Sequence, residues 1–286
     1  MTATRTAPPT GTEPGEPDRA RPGIRSTLMA FLRVEFIEEI SYPMSFAFSL
    51  MRSVMPLLLS FFIGQLIKDE RVGGDYLTFV SIGLGVTAML SGALAGFGGS
   101  MTRAFQRGTL ETYLVEPVPW AFLPIAMNTW QLMLGIFNGT VIMVVGIFLG
   151  ANYTAGQIPA FVLLVVLGIF ATTAIGLVSA AVLMLTLKSQ PILQVYSLAA
   201  GLLAGAVFSV SQLPPWLKVF SFLIPHTYVI NGARTLLMED PGSFEIPYST
   251  ALLVLLGFSV LMFPFGVWLF RRSLEFARKM GMLSGY

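Results

Sequence analysis

Six stretches of mostly apolar residues run through this chain: Pro43 to Ile67, Tyr76 to Gly99, Trp120 to Leu149, Ile158 to Leu187, Pro191 to Val210 and Tyr248 to Phe270. At about 1.5 Å of rise per residue, each is long enough to cross a hydrocarbon core of about 30 Å as a helix. Hydrocarbon offers no partner to a backbone N–H or C=O, so a spanning segment must satisfy them internally, which a helix does. The expected fold is an all-α membrane bundle of six transmembrane helices. Composition supports this, since 55% hydrophobic residues, 11% charged residues and a mean hydropathy of +0.75 exclude an ordinary soluble domain. The third and fourth stretches exceed the length required and predict tilt or extension beyond the core.

The flanking segments differ in character. Residues 1–25 carry Pro8, Pro9, Pro14, Pro17 and Pro22 among Thr, Gly, Glu and Arg, too little apolar surface to offset chain entropy. They read as a disordered cytoplasmic tail and lack the apolar core of a secretory signal. Residues 26–41 predict an interfacial amphipathic helix, with Glu35, Glu38 and Glu39 on one stripe and Met29, Phe36, Ile37 and Ile40 opposite. Leu28, Phe31 and Leu32 lie on the acidic side, so protein as well as lipid headgroups is expected to cover it. Residues 42–286 form the membrane domain. Within it, Leu213 to Met238 is broken by Pro214, Pro215 and Pro225 and carries Trp216, Lys218, His226 and Arg234, too interrupted a composition to span.

Basic residues set the orientation, because loops rich in Lys and Arg stay on the cytoplasmic side. With the amino terminus inside, the inner segments hold twelve Lys and Arg, while the outer ones hold only Lys68, Arg71, Lys218 and Arg234. Both ends, including residues 271–286, are therefore expected in the cytoplasm. The net charge of +2 sits at the ends of apolar runs, which points to lipid headgroups rather than nucleic acid. Cysteine is absent, so no disulfide or thiolate chemistry enters.

Little in the spans suggests catalysis. None of the fifteen acidic residues falls within the six stretches, which argues against a proton-coupled transporter. No Gly-x-x-x-x-Gly-Lys loop occurs, so the chain is not expected to bind ATP itself. Ser100 and His226 fall at opposite membrane faces and cannot form a nucleophile–base pair. No catalytic, cofactor-binding or metal-ligating residue is expected. Arg52, the one charge inside a span, has two readings: a side chain that snorkels to the boundary, or a cavity-facing cation that meets an anionic group. Asn128, Gln131 and Asn138 in the third stretch, with Thr172, Thr173 and Ser179 in the fourth, read as glue between helices or as substrate contacts. Gly92, Gly96 and Gly99, with Gly201 and Gly205, allow close helix approach.

The loop 101–119 carries the most information. Arg103 and Arg107 lie one helical step apart, Gly108 permits a bend, and Thr109 is a suitable N-cap. Glu111 falls in the first turn, where a carboxylate complements the helix dipole, and Pro117 ends the helix. With Leu110, Tyr113 and Leu114 this short helix either caps the bundle's inner face or docks into a groove of another protein.

Gly108-Thr109-Leu110-Glu111 running to Pro117 resembles the corresponding loop of the permease subunits of type-2 ABC exporters. The similarity extends from about Ser26 over nearly the whole chain. It includes the helix before six spans, Pro214-Pro215-Trp216, Pro225-His226-Thr227-Tyr228 and the Ala277-Arg278-Lys279 ending. The resemblance implies a permease that dimerises, most simply as a homodimer, in a bacterial or archaeal plasma membrane. It implies two copies of a separate ABC ATPase subunit that binds ATP and Mg, with Arg103 to Glu116 as the coupling helix. It implies that 213–238 forms short re-entrant outer helices before the last span. The cargo implied is an amphiphilic or hydrophobic compound, such as a drug, lipid or lipid-linked glycan, passing between the protomers. Arg52, Asn128 and Gln131 are the candidate path residues. Two other classes stay open, an ATP-independent channel or facilitator and a membrane scaffold that moves nothing.

Overall fold

A computed structural model describes residues 24–66, 70–106, 123–186, 190–239 and 246–279. These form α1 (Ile24–Ser41), α2 (Pro43–Leu66), α3 (Glu70–Gln106), α4 (Leu123–Leu149), α5 (Ile158–Thr186), α6 (Gln190–Leu203), α7 (Pro215–Phe222), α8 (Pro225–Leu237) and α9 (Tyr248–Lys279), with 3-10 turns at Ala155–Gln157 and Val210–Gln212. No strand occurs among the described residues. The expected tail lies outside them, as does the loop from Arg107 through Leu114.

Among the described residues, five helices are long and apolar enough to cross a membrane: α2, α3, α4, α5 and α9. The first four and the last of the predicted stretches correspond to these. The fifth departs from expectation. Helix extends only from Gln190 to Leu203, 14 residues, or about 21 Å. Gly205 then takes φ +79°, a left-handed conformation that ends the helix and turns the chain away. The broken stretch 213–238 forms two short helices of 8 and 13 residues. Each opens on a proline at its first turn, where the missing N–H costs nothing.

Packing is centred on α3, which pairs most extensively with α4 and also touches α2, α5, α6 and α8, while α9 pairs with α5. Ile82, Val86 and Leu90 of α3 meet Leu164 of α5, Val229 and Ile230 of α8 and Leu255 of α9 in the main core. At one end of the bundle the start of α3, the α4–α5 turn, the end of α6 and all of α7 and α8 come together. At the other, α1 lies against α4, with Phe36 edge-on to Trp130 at 5.8 Å between ring centres.

Close approach explains the tightest contact. A Cβ on Gly92 would meet the Gly135 Cα at 2.9 Å, and one on Gly135 would meet the Gly92 Cα at 2.8 Å. The expected close faces at Gly92 and Gly96 therefore lie on the α3–α4 seam. Gly201 differs, since nothing lies within 4 Å of a Cβ placed there.

Candidate functional site

The end of α6 stops inside the bundle, so its last carbonyl groups lack helical partners and need donors from elsewhere. The two short helices supply them. Ser221 Oγ on α7 donates to the Leu203 carbonyl at 2.6 Å. Arg234 on α8 donates through Nη2 to the Ala206 carbonyl at 3.0 Å and to the Phe79 carbonyl of α3 at 3.1 Å, while Nε reaches the latter at 3.3 Å. Its guanidinium carbon also sits 3.3 Å from the centre of the Phe79 ring. Arg234 is 1% exposed, and its Nη1 has no hydrogen-bond partner. One side chain thus ties three elements together through carbonyl oxygens and a ring face, with no carboxylate involved.

The neighbouring sequence is fitted to this staple. A Cβ at Gly83 would run into the Ala206 carbonyl and lie 2.7 Å from Arg234 Nη2, so α3 meets the α6 break only because residue 83 has no side chain. Thr227 Oγ1 donates to the Ser221 carbonyl at 2.7 Å and Tyr228 OH to the Phe222 carbonyl at 2.9 Å, which fixes the α7–α8 corner. The Thr154 N–H donates to the Leu237 carbonyl at 2.9 Å and joins the α4–α5 turn to α8. Twelve of the thirteen residues of α8 are buried even though it carries His226, Thr227, Asn231 and Arg234. A helix polar on several sides tolerates such burial only because its polar groups find partners.

His226, 1% exposed, shares a 3.1 Å hydrogen bond between Nδ1 and the Tyr196 hydroxyl of α6. Burial pushes its pKa down to about 4, which favours the neutral ring in the fold. With the folded value below the ordinary 6.5, stability is complete above pH 6.5 and falls as pH drops toward 4, because the unfolded chain takes up the proton first. Thermal unfolding of the wild type is expected to show this acid limb, and His226→Gln to flatten it. Parallel profiles would assign the limb to another group.

A second feature is a set of uncovered apolar faces. Only 11% of the apolar window is buried in each of α2 and α9, against 72% for that of α3. Phe48, Met51, Met55, Leu59 and Phe62 form an exposed stripe on α2, and Arg52 is exposed among them. Helix α6 exposes Val195, Leu198 and Leu202, and α7 exposes Trp216, Val219 and Phe220, with Leu223 exposed just beyond its end. At the opposite end a groove of about 490 Å³ opens between α1, α2 and α4, lined by Phe36, Ile40, Phe46, Trp130, Met133 and Phe137 with Glu39 as its charged residue.

The sequence-predicted path residues do not form one site. Asn128 is 3% exposed and fills the space left by Gly96, with Nδ2 3.5 Å from the Ala93 carbonyl. Gln131 is half-buried on the same seam, where its carbonyl faces Gly92. No hydrogen bond or ion pair joins either to Arg52. Thr172 bonds back to the Gly168 carbonyl of its own helix at 2.9 Å. Arg103 falls in the last turn of α3, and Arg107, Gly108, Thr109, Leu110, Glu111, Tyr113 and Leu114 lie outside the described residues. Arg234, counted from the sequence only as an outer charge, is the residue that reading missed. Its one signal is that it is the single cation of α8. No cluster of metal-ligating side chains occurs among the described residues.

Residues 29–238 match the family described as ABC-2 type transporter, a span from within α1 to just past α8. Nodulation protein J of Sinorhizobium fredii (strain NBRC 101917 / NGR234) is 26% identical over 226 residues, covering 76% of this chain and 81% of that protein. Nodulation protein J of Bradyrhizobium diazoefficiens is equally similar over the same length.

Proposed function

Since the chain belongs to the ABC-2 type transporter family, we propose that it is the permease subunit of an ATP-driven exporter for an amphiphilic or hydrophobic compound, powered by a separate ATPase subunit. The family is one of membrane subunits, and ATP and Mg would be bound by the partner. The observation that carries the reading is the combination on α2 and α6 of uncovered apolar faces with a helix that stops short. A face this apolar is covered in the working protein by lipid, cargo or a second protomer. We take the arrangement to be a homodimer with α2 and α6 at the seam. Two ATPase copies dock below it, and cargo moves between the protomers.

In this reading α6 and residues 204–213 together make the fifth of six crossings, and α7 and α8 are re-entrant helices at the outer side. The amino and carboxy termini then lie in the cytoplasm of a bacterial or archaeal cell. The groove under α1 sits at the inner surface, and its apolar lining suits the hydrocarbon part of an amphiphile waiting to enter. Residues Arg103 to Glu116 act as the coupling helix, with Glu111 and Arg107 as polar contacts and Leu110, Tyr113 and Leu114 as the apolar ones.

The test is purification of the chain from its own host in mild detergent, with identification of bound proteins and assay of ATP hydrolysis. An ATPase carrying Walker motifs is expected to co-purify. Glu111→Ala is expected to lower its association or its cargo-stimulated turnover by about tenfold, the loss of one contact worth about 1.4 kcal/mol. Reconstituted chain that gives flux with no ATPase and no ATP would establish a facilitator instead. A complex whose assembly and turnover are unchanged by Glu111→Ala would place coupling elsewhere.

A further inference from the structure

The position of Arg52 narrows the class of cargo, on the premise of the dimeric exporter proposed above. Arg52 lies nine residues after Pro43 and fourteen before Leu66, about 14 Å and 21 Å along the axis. This is the middle third of the span. On a helical wheel it lies at one edge of the exposed stripe, within about 60° of Phe48, Met55 and Leu59, with buried Leu57 about 140° away.

Such a cation is costly against lipid tails, about 3 kcal/mol at the centre of a span even on the more lenient scale. Opposite charge is the usual compensation, yet none of the six apolar stretches contains an Asp or Glu. A second copy of the chain therefore brings no carboxylate to this depth. It brings another Arg52. Two uncompensated cations at one seam make a positive field that an anion relieves, and the surrounding Phe, Met and Leu side chains suit its hydrocarbon part. A guanidinium presents a planar fork of donors matched to phosphate or carboxylate oxygens.

We infer that Arg52 is an anion-binding residue of the translocation path, and that the cargo is an amphiphile carrying a phosphate or carboxylate group.

Direct binding tests this without the ATPase. Purified chain in phosphatidylcholine nanodiscs would be titrated with radiolabelled dodecyl phosphate, with dodecyl maltoside and dodecyltrimethylammonium as competitors. Wild type is expected to bind dodecyl phosphate at least tenfold more tightly than Arg52→Gln, with Arg52→Lys between them and neither competitor displacing it. Equal affinity in wild type and Arg52→Gln overturns the inference. So does complete displacement by phosphatidylglycerol at the mole fraction of a bulk lipid, which would make Arg52 an ordinary lipid-headgroup contact. Thermal unfolding of each variant identifies misfolded protein, and Arg52→Lys keeps the test decisive if Arg52→Gln fails to fold. Repeating the comparison on the assembled ATPase complex separates the two proposals. Tight Arg52-dependent binding with no ATPase present in any preparation refutes the exporter reading and leaves the anion site standing. A coupled ATPase stimulated equally by all three amphiphiles refutes the anion site alone.

Discussion

Arg234→Met is expected to lower the midpoint of thermal unfolding in detergent by about 5–10 °C and to open the end of α6 to water-borne reagents. The variant keeps the length and apolar stem of the side chain but removes every donor. Three bonds from a charged group disappear, and the Ala206 carbonyl, which sits in a break and has no helical partner, is left buried without a donor. Charge-assisted bonds contribute about 1.5–3 kcal/mol each in the best case, and removal of a desolvated charge gives part of this back. The net loss is about 2–4 kcal/mol, or several degrees for a chain of this size. Arg234→Lys should recover only part of it, because an ammonium cannot copy the fork that reaches Phe79 and Ala206 together. The absence of native cysteine makes the second readout simple. A single cysteine at Phe208 labels slowly with an impermeant maleimide while the staple holds, and several times faster in Arg234→Met. Midpoints within a degree of each other and unchanged labelling would show that α7 and α8 hold the break without Arg234.

What could be read from the sequence follows from how local each cause is. Apolar runs announce their own helices because lipid imposes one solution on any such run, so α2, α3, α4, α5 and α9 fall where expected. The Pro214, Pro215 and Pro225 breaks likewise set the limits of α7 and α8. The end of α6 was not legible. Its residues stay apolar past Leu203, and what stops the helix is a positive φ at Gly205 together with donors from Ser221 and Arg234, 18 and 28 residues from the carbonyls they reach. Arg234 was hidden for the same reason, since its other partner is the Phe79 carbonyl 155 positions away. Asn128 could be placed facing protein, but the gap it fills at Gly96 exists only once α3 and α4 are set side by side. The glycine spacings were correct for Gly92 and Gly96 and misleading for Gly201, because spacing alone does not say which face meets a neighbour.

That difference between glycines yields the other large effect. Gly92→Leu is expected to leave little folded protein, and Gly201→Leu to leave the monomer intact. At Gly92 the atoms in the way are backbone, the Gln131 carbonyl and the Gly135 Cα and N, and backbone cannot rotate aside. The α3–α4 pair would have to separate along its length, since a Cβ on Gly139 also runs into the Gly85 carbonyl. Because α3 also carries the contacts to α5 and α8, the strain spreads through the main core. Overpacking of this kind costs about 1–3 kcal/mol even where neighbours can yield, and more where they cannot. Gly92→Ala should fall between the two, with reduced yield and a lower unfolding midpoint. Gly201 lies on the exposed side of α6, beside Leu198 and Leu202, with open space around it. A leucine there meets nothing in the protomer but stands directly at the proposed seam. Size-exclusion chromatography with light scattering is therefore expected to show Gly201→Leu as a folded protein with weakened self-association, and Gly92→Leu as aggregate. Folded Gly92→Leu at wild-type yield would mean that the α3–α4 approach is looser than its geometry requires. A Gly201→Leu dimer as stable as the wild type would move the seam off α6.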